Sequence, residues 1–110
     1  MVKLNQGTII KMNLDPRQGH EQKGYRPYIL LSNPIVNQYS NIAIFAPISN
    51  TERSYPLYIP IRGVEKTTGK VLLDQLITVD YNERGYNFVE CVSTEFLDEL
   101  LSKARLIFTR

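Results

Sequence analysis

The polar run Asp15-Pro16-Arg17-Gln18-Gly19-His20-Glu21-Gln22-Lys23-Gly24-Tyr25-Arg26-Pro27 gathers the side chains best suited to chemistry in this sequence. Its cations can hold an anion and its glutamate can accept a proton. His20, the only histidine, changes charge near neutral pH and so can give or take one. The run is too polar for a core. An Asp-Pro turn and two glycines describe a mobile connection between two strands, and such connections on a rigid sheet are where binding and catalysis concentrate. A solvated hairpin loop has the same composition, so the run nominates a site without naming its reaction.

Further tyrosines and cations extend the pattern. Tyr25, Tyr28, Tyr39, Tyr55 and Tyr58 are interleaved with Lys23, Arg53 and Arg62, a mixture that offers stacking surfaces and phosphate contacts to splayed bases. The same tyrosines serve equally well as strand surface or core. Asn37, Gln38 and Asn41 add amide edges able to read bases or simply to make turns. Residues 1–70 carry nine Lys/Arg against four Asp/Glu and residues 71–110 carry four against seven, for a net charge of +2. A basic N-terminal part permits a polyanionic partner but does not establish one.

The elements that must hold these groups are mostly strands. Short apolar and β-branched clusters at residues 8–14, 28–31, 42–46, 55–61, 70–73 and 76–80 each fit a strand, with turn formers between them at Asp15-Pro16, Gly24, Asn33-Pro34, Gly63 and Gly69. Pro56 and Pro60 cannot donate to a ladder, which places 55–61 at a sheet edge or a bulge. Towards the C-terminus the period changes, and Phe96, Leu97, Leu100, Leu101 and Ala104 fall on one helical face. The spacing predicts an amphipathic helix with Thr94 as N-cap, acidic Glu95, Asp98 and Glu99 near its positive end and Lys103 and Arg105 near its negative end. Leu106-Ile107-Phe108 is then expected to return to the sheet. The expected fold is mainly β: one domain over residues 1–110, a small, strongly bent sheet or SH3-like barrel of five to seven strands with a C-terminal amphipathic helix.

With 110 residues, 43% of them hydrophobic, the chain can bury one modest core, and a 22% charged fraction argues against disorder. No apolar run approaches the roughly 20 residues that span a bilayer. The opening residues lack the apolar block of a signal peptide, so a cytoplasmic protein without membrane contact is expected. Cys91 is the only cysteine, which excludes an intrachain disulfide and, with a single histidine, a zinc site of the usual Cys/His kind. Neither a metal nor a cofactor is expected.

Three blocks in order resemble one family. Gly19-His20-Glu21-Gln22-Lys23-Gly24-Tyr25-Arg26-Pro27, followed by the apolar strand ending Leu31-Ser32, is similar to the first motif of MazF/PemK toxins, G-x-E-x-x-G-x-R-P before a hydrophobic strand and a serine. Ala46-Pro47-Ile48-Ser49 resembles the family's block of proline, small apolar residue and threonine at the end of the third strand. Gly69-Lys70-Val71-Leu72-Leu73-Asp74-Gln75-Leu76-Ile77-Thr78-Val79-Asp80 resembles its later strand, which carries a Gly, an Asp/Glu-Gln pair and a closing Asp. One block alone is weak; three at the right separations are specific, and they span nearly the whole chain.

The resemblance implies a homodimer of SH3-like barrels that cleaves single-stranded RNA, such as messenger RNA, without metal, the first long loop folding over the substrate. The ribose 2′-OH attacks the adjacent phosphorus, leaving a 2′,3′-cyclic phosphate or 3′-phosphate and a 5′-OH, which explains RNA over DNA. Carried over position by position, Arg26 falls on the family's catalytic arginine. A planar guanidinium holds two phosphate oxygens at once and stabilises a pentacoordinate transition state, an effect of roughly 3–4 kcal/mol where single donors have been removed in other enzymes. It does not ordinarily deprotonate, so it is no general base. Ser49 falls where the family usually has a catalytic threonine; it keeps the hydroxyl and loses the methyl that restricts the rotamer, with Thr51 as the fallback. Glu21 matches the motif glutamate, able to accept the 2′-OH proton or to orient Arg26, or merely solvated or paired with Arg26 on the surface. His20 occupies a variable position and is a candidate general acid for the 5′-oxygen.

The remaining expected RNA contacts are Arg17, Gln22, Lys23, Tyr25, Asn37, Thr51, Arg53, Tyr55 and Arg84, the last carrying family resemblance, with Gln75 and Asp80, but no derived role. The resemblance further implies a MazE-like antitoxin whose flexible acidic tail lies across the basic groove. Two alternatives use the same kind of barrel: a non-enzymatic gyrase poison of the CcdB type, and a plain nucleic-acid-binding module without turnover.

Overall fold

The computed structural model describes residues 3–14, 24–36 and 38–110. Seven strands follow in order: β1 (Thr8–Asn13), β2 (Tyr25–Leu30), β3 (Ile42–Ser49), β4 (Tyr58–Pro60), β5 (Lys70–Leu72), β6 (Ile77–Asp80) and β7 (Asn87–Cys91). A four-residue helix α1 (Tyr81–Arg84) separates β6 from β7, and α2 (Thr94–Arg105) runs into a 3-10 turn at Leu106–Phe108.

Successive side chains of a strand alternate faces, and here both faces of the central strands are covered. Ile9, Ile29, Ala46 and Ile48 enter one core with Val71, Leu73, Phe96 and Leu100. Their neighbours Ile10, Tyr28, Leu30 and Phe45 enter a second core with Met12, Val79 and Tyr81. Two-sided burial is why these strands read in the sequence as continuous apolar runs rather than as alternating patterns. Helix α2 caps the first core with Phe96 and Leu100, each a burial that contributes about 1.5–3 kcal/mol. The second core is lidded by Tyr81, edge-on to Phe45 at 6.0 Å and to Tyr86 at 5.5 Å.

The sheet runs β4-β5-β3-β2-β1-β7, all neighbours antiparallel, with β6 paired to β3 off that path. Strand β3 is the place where the sheet divides: residues 42–45 pair with β6, and Ile48 and Ser49 pair with β5. The mainly β expectation with a C-terminal helix is borne out in its bent-sheet form; the ladder is not closed, since β4 and β7 stand at its two ends. A side chain spans that gap. The Glu90 carboxylate of β7 accepts from the backbone N–H groups of Glu65 and Lys66, each at 3.0 Å, and from Thr67 Oγ1 at 2.7 Å, tying the β4–β5 connection to β7. Desolvation works against this carboxylate's charge, but these hydrogen bonds outweigh it and hold the group below the usual carboxylate range.

Four local expectations are corrected. The cap of α2 is Ser93, whose Oγ accepts from the Phe96 N–H at 3.2 Å, and Thr94 is the first helical residue. Leu106-Ile107-Phe108 does not return to the sheet, because no glycine or proline follows α2 to turn the chain and the helical path tightens instead. β4 is an edge strand as expected, but it begins only after Pro56, so Tyr55 lies outside it. The strand β7 and the helix α1 were not expected. Among the described residues no helix is long and apolar enough to cross a membrane.

Candidate active site

The β2–β3 ladder pairs Tyr28 with Pro47, Ile29 with Ala46 and Leu30 with Phe45. Carried two residues further, the same register sets Arg26 level with Ser49. The period of two then puts Arg26, Tyr28, Pro47 and Ser49 on one face, at the mouth of the second core. That face continues across β5 and β4, where Lys70 is paired with Ser49 and Pro60 with Lys70, leaving Tyr58 on the same side.

Beyond Ser49 lies a cationic and aromatic cluster. The Arg53 guanidinium sits 5.5 Å from the Tyr55 ring centre and 5.8 Å from that of Tyr58, and the two rings meet edge to face at 4.9 Å. Lys70 Nζ donates to the Arg53 carbonyl at 2.7 Å, and Gln75 Nε2 donates to the Tyr58 hydroxyl at 3.1 Å, so polar contacts hold this surface in place. Thr51 is in the turn after β3, where its Oγ1 accepts from the Arg53 N–H at 3.2 Å; it shapes the loop that carries Arg53.

Ser49 is held from behind by backbone. Gly69 has φ +117°, and a Cβ there would lie 2.6 Å from the Ser49 carbonyl oxygen. Only glycine lets β5 approach this closely.

On the other flank, Asp80 Oδ1 accepts from the Glu83 N–H at 3.0 Å and Gly85, with φ +86°, closes the helix. Together they wind α1 tightly enough that Arg84 Nη1 reaches the Asn13 carbonyl at 3.4 Å, beside the β1–β2 pairing. Burial pushes the Tyr28 hydroxyl's pKa up, while the Arg26 and Arg84 guanidinium groups, both acting on it, pull the other way; burial prevails and the phenol is neutral at physiological pH.

The structure therefore brings together Arg26, Ser49, Arg53, Tyr55 and Arg84 on or beside one exposed face. Tyr25 belongs to the other side of β2, with Pro27 and Ile29, and its hydroxyl accepts from Asn87 Nδ2. Arg17, His20, Glu21, Gln22, Lys23 and Asn37 lie outside the described residues, and with them any Arg26–Glu21 pair. Sequence reasoning missed Lys70, whose place opposite Ser49 is a matter of strand register, and gave Gln75 family resemblance but no role. The face offers cations and a hydroxyl where a phosphate can be held, with tyrosines beside them on which bases can stack, an arrangement suited to an extended single-stranded polyanion.

Comparison with known proteins gives the chain a family. The sequence pattern described as "PemK-like, MazF-like toxin of type II toxin-antitoxin system" matches residues 5–108. The chain is 31% identical over 110 residues to Endoribonuclease PemK of Escherichia coli, covering 96% of this chain and 83% of that one. It is 28% identical over 101 residues to Endoribonuclease toxin MazF of Escherichia coli strain K12, covering 92% and 90%. Among solved structures, an endoribonuclease in complex with its cognate antitoxin from a mycobacterial species shares the fold with a TM-score of 0.79 at 17% identity, over 96% of this chain and 95% of that one. With a matching pattern across nearly its whole length and a relative of this similarity, the chain belongs to the PemK-like, MazF-like toxins of type II toxin–antitoxin systems.

Proposed function

We propose that this chain, acting as a single unit over residues 1–110, is the endoribonuclease toxin of a type II toxin–antitoxin system and cleaves single-stranded RNA, messenger RNA included, at specific sequences without metal. The observation that carries this reading is the β2–β3 register, which extended by two residues sets the exposed Arg26 level with the half-buried Ser49, itself paired with Lys70 on the same face. The 2′-oxygen attacks phosphorus, the bond to the 5′-oxygen breaks, and the products are a 2′,3′-cyclic phosphate, or the 3′-phosphate from it, and a 5′-OH. Arg26 holds the nonbridging oxygens through a charge-assisted fork, and Ser49 donates to one of them. Glu21 takes the 2′-OH proton or orients Arg26, and His20 returns a proton to the leaving 5′-oxygen.

Substrate is gripped by Arg53 and Tyr55 on one flank and Arg84 on the other. Arg17, Gln22, Lys23, Asn37 and Thr51 supply further contacts, whereas Tyr25, turned to the other side of β2, does not line this face. A MazE-like antitoxin neutralises the toxin by laying an acidic tail on the same basic face; the named relatives and the mycobacterial toxin–antitoxin complex support this partner over a gyrase target. The protein pairs as a homodimer in the cytoplasm. The exposed Leu106 and Phe108 beside the apolar groove formed by Leu31, Val36, Ile44, Leu101 and Ala104 supply a surface for that pairing.

An RNA oligonucleotide with a mapped cut and a single 2′-deoxy substitution at the attacking ribose tests the chemistry. Cleavage at that link is expected to disappear while binding persists. Continued cutting there would contradict 2′-OH attack.

A further inference from the structure

We infer that Tyr28 is a further catalytic residue, its hydroxyl donating a hydrogen bond to a nonbridging oxygen of the scissile phosphate; this rests on the nuclease reading above. Tyr28 follows Arg26 by two residues on β2 and so shares its face, directly across the ladder from Pro47, which precedes Ser49 by two residues on β3. Its ring is anchored: the side chain is 7% exposed and packs in the second core among Met12, Leu30, Phe45 and Tyr81. The Arg26 and Arg84 guanidinium groups, both exposed, act electrostatically on its hydroxyl. A phenol on the Arg26 face is thus held by a core-packed ring within electrostatic reach of two exposed guanidinium groups.

That arrangement suits an oxyanion better than a base. A phosphate seated on Arg26 brings its nonbridging oxygens towards the hydroxyl on the same face, and as phosphorus becomes pentacoordinate those oxygens gain charge. A neutral phenol meets this charge as a hydrogen-bond donor, keeps its proton throughout the reaction and needs no reorganisation, because packing already holds it in place. Ser49 lies on the same face from the neighbouring strand, level with Arg26 when the ladder register is extended, so a hydroxyl stands on each side of the arginine's position. Phenylalanine fills the same core space and removes only the donor, which separates the chemical role from the packing role.

The test is single-turnover cleavage of an RNA oligonucleotide with one mapped site by wild type, Tyr28→Phe and Arg26→Ala, with melting curves for each. The scissile link is made as phosphate and as each of its two phosphorothioate diastereomers. Tyr28→Phe is expected to melt like wild type, bind RNA with similar affinity and cleave the phosphate link about 100-fold more slowly, the low end of what single oxyanion donors contribute. Sulfur at the contacted oxygen should slow wild type and leave Tyr28→Phe little changed, a response that a packing defect does not produce. Wild-type rates for Tyr28→Phe on all three links, with Arg26→Ala inactive, would overturn the role of Tyr28 alone. A wild type that does not cleave, or an Arg26→Ala that cleaves equally well, overturns the nuclease reading and the inference with it.

Discussion

Replacing Gly69 by alanine should damage the site through the backbone of Ser49. At φ +117° a side chain is strained, at a cost of roughly 1–3 kcal/mol. The new Cβ would also stand 2.6 Å from the Ser49 carbonyl oxygen and 2.9 Å from its carbonyl carbon, atoms that cannot rotate away as a side-chain tip can. Either β5 retreats or Ser49 turns. A domain of about 100 residues loses about 4–8 °C of Tm per kcal/mol, so the melting point should fall by about 5–20 °C. On the protein that remains folded, a displacement on the order of 1 Å at a positioned group costs about 100-fold in rate. Circular dichroism melts and RNA cleavage at a temperature where both proteins are folded measure the two effects separately. Gly63→Ala is the comparison: φ is +74° and the nearest atom to its Cβ is Ser93 Oγ at 3.2 Å, remote from Ser49, so it should lose stability without slowing cleavage. A Gly69→Ala protein that melts and cleaves like wild type would refute the close approach of β5 to Ser49. Equal loss of cleavage in Gly63→Ala, at equal folded fraction, would show that the loss reflects stability rather than geometry.

Three further outcomes follow from the same geometry. Ser49→Thr should cleave at least as fast as wild type, because the added methyl narrows the rotamers of a hydroxyl already in place, whereas Ser49→Ala should lose about 100-fold in single-turnover rate. Glu90→Gln should lower the melting point at neutral pH: a carboxylate held below its ordinary value of 4.5 stabilises the fold above that pH and loses this contribution as the pH falls through its lowered value. Melts recorded from pH 7 downward should therefore converge for the two proteins in the acid range. Phe96→Ala, which empties a side chain only 1% exposed beneath α2 and removes the ring 5.0 Å under the Arg62 guanidinium, should cost about 3–5 kcal/mol in urea unfolding, a large part of the stability of a domain this size.

The sheet's central strands were legible because two-sided burial writes itself as uninterrupted apolar runs: Ile9-Ile10, Tyr28-Ile29-Leu30 and the stretch from Ala43 to Ile48. Helix α2 was legible because Phe96, Leu100 and Ala104 repeat at helical spacing over three turns. By contrast, Asn87–Cys91 carries an asparagine, a glutamate and an exposed phenylalanine, and it becomes a strand through its pairing with β1, which includes a register shift between Ile9 and Ile10. Helix α1 exists through the Asp80 cap and the positive φ of Gly85, contacts too local to show as periodicity. The site divided in the same way. Arg26 and Ser49 stand out by residue type, but their alignment across β2 and β3, the arrival of Lys70 and the diversion of Tyr25 to the other face are properties of strand register. Register is set by which pairs bury well together, and a single strand's sequence does not contain its partner.

The central claim is that Arg26 acts on RNA in a reaction that needs no metal. The most direct measurement incubates the purified protein and its Arg26→Ala variant with a long unstructured RNA in excess EDTA, then maps the cut positions and the chemistry of the new ends. We expect discrete cuts with 5′-OH ends from wild type and at least a 100-fold slower reaction from Arg26→Ala, with both proteins folded. A folded wild type that leaves the RNA intact, cleavage that appears only when a divalent cation is restored, or an Arg26→Ala variant that cuts as fast as wild type would each contradict it.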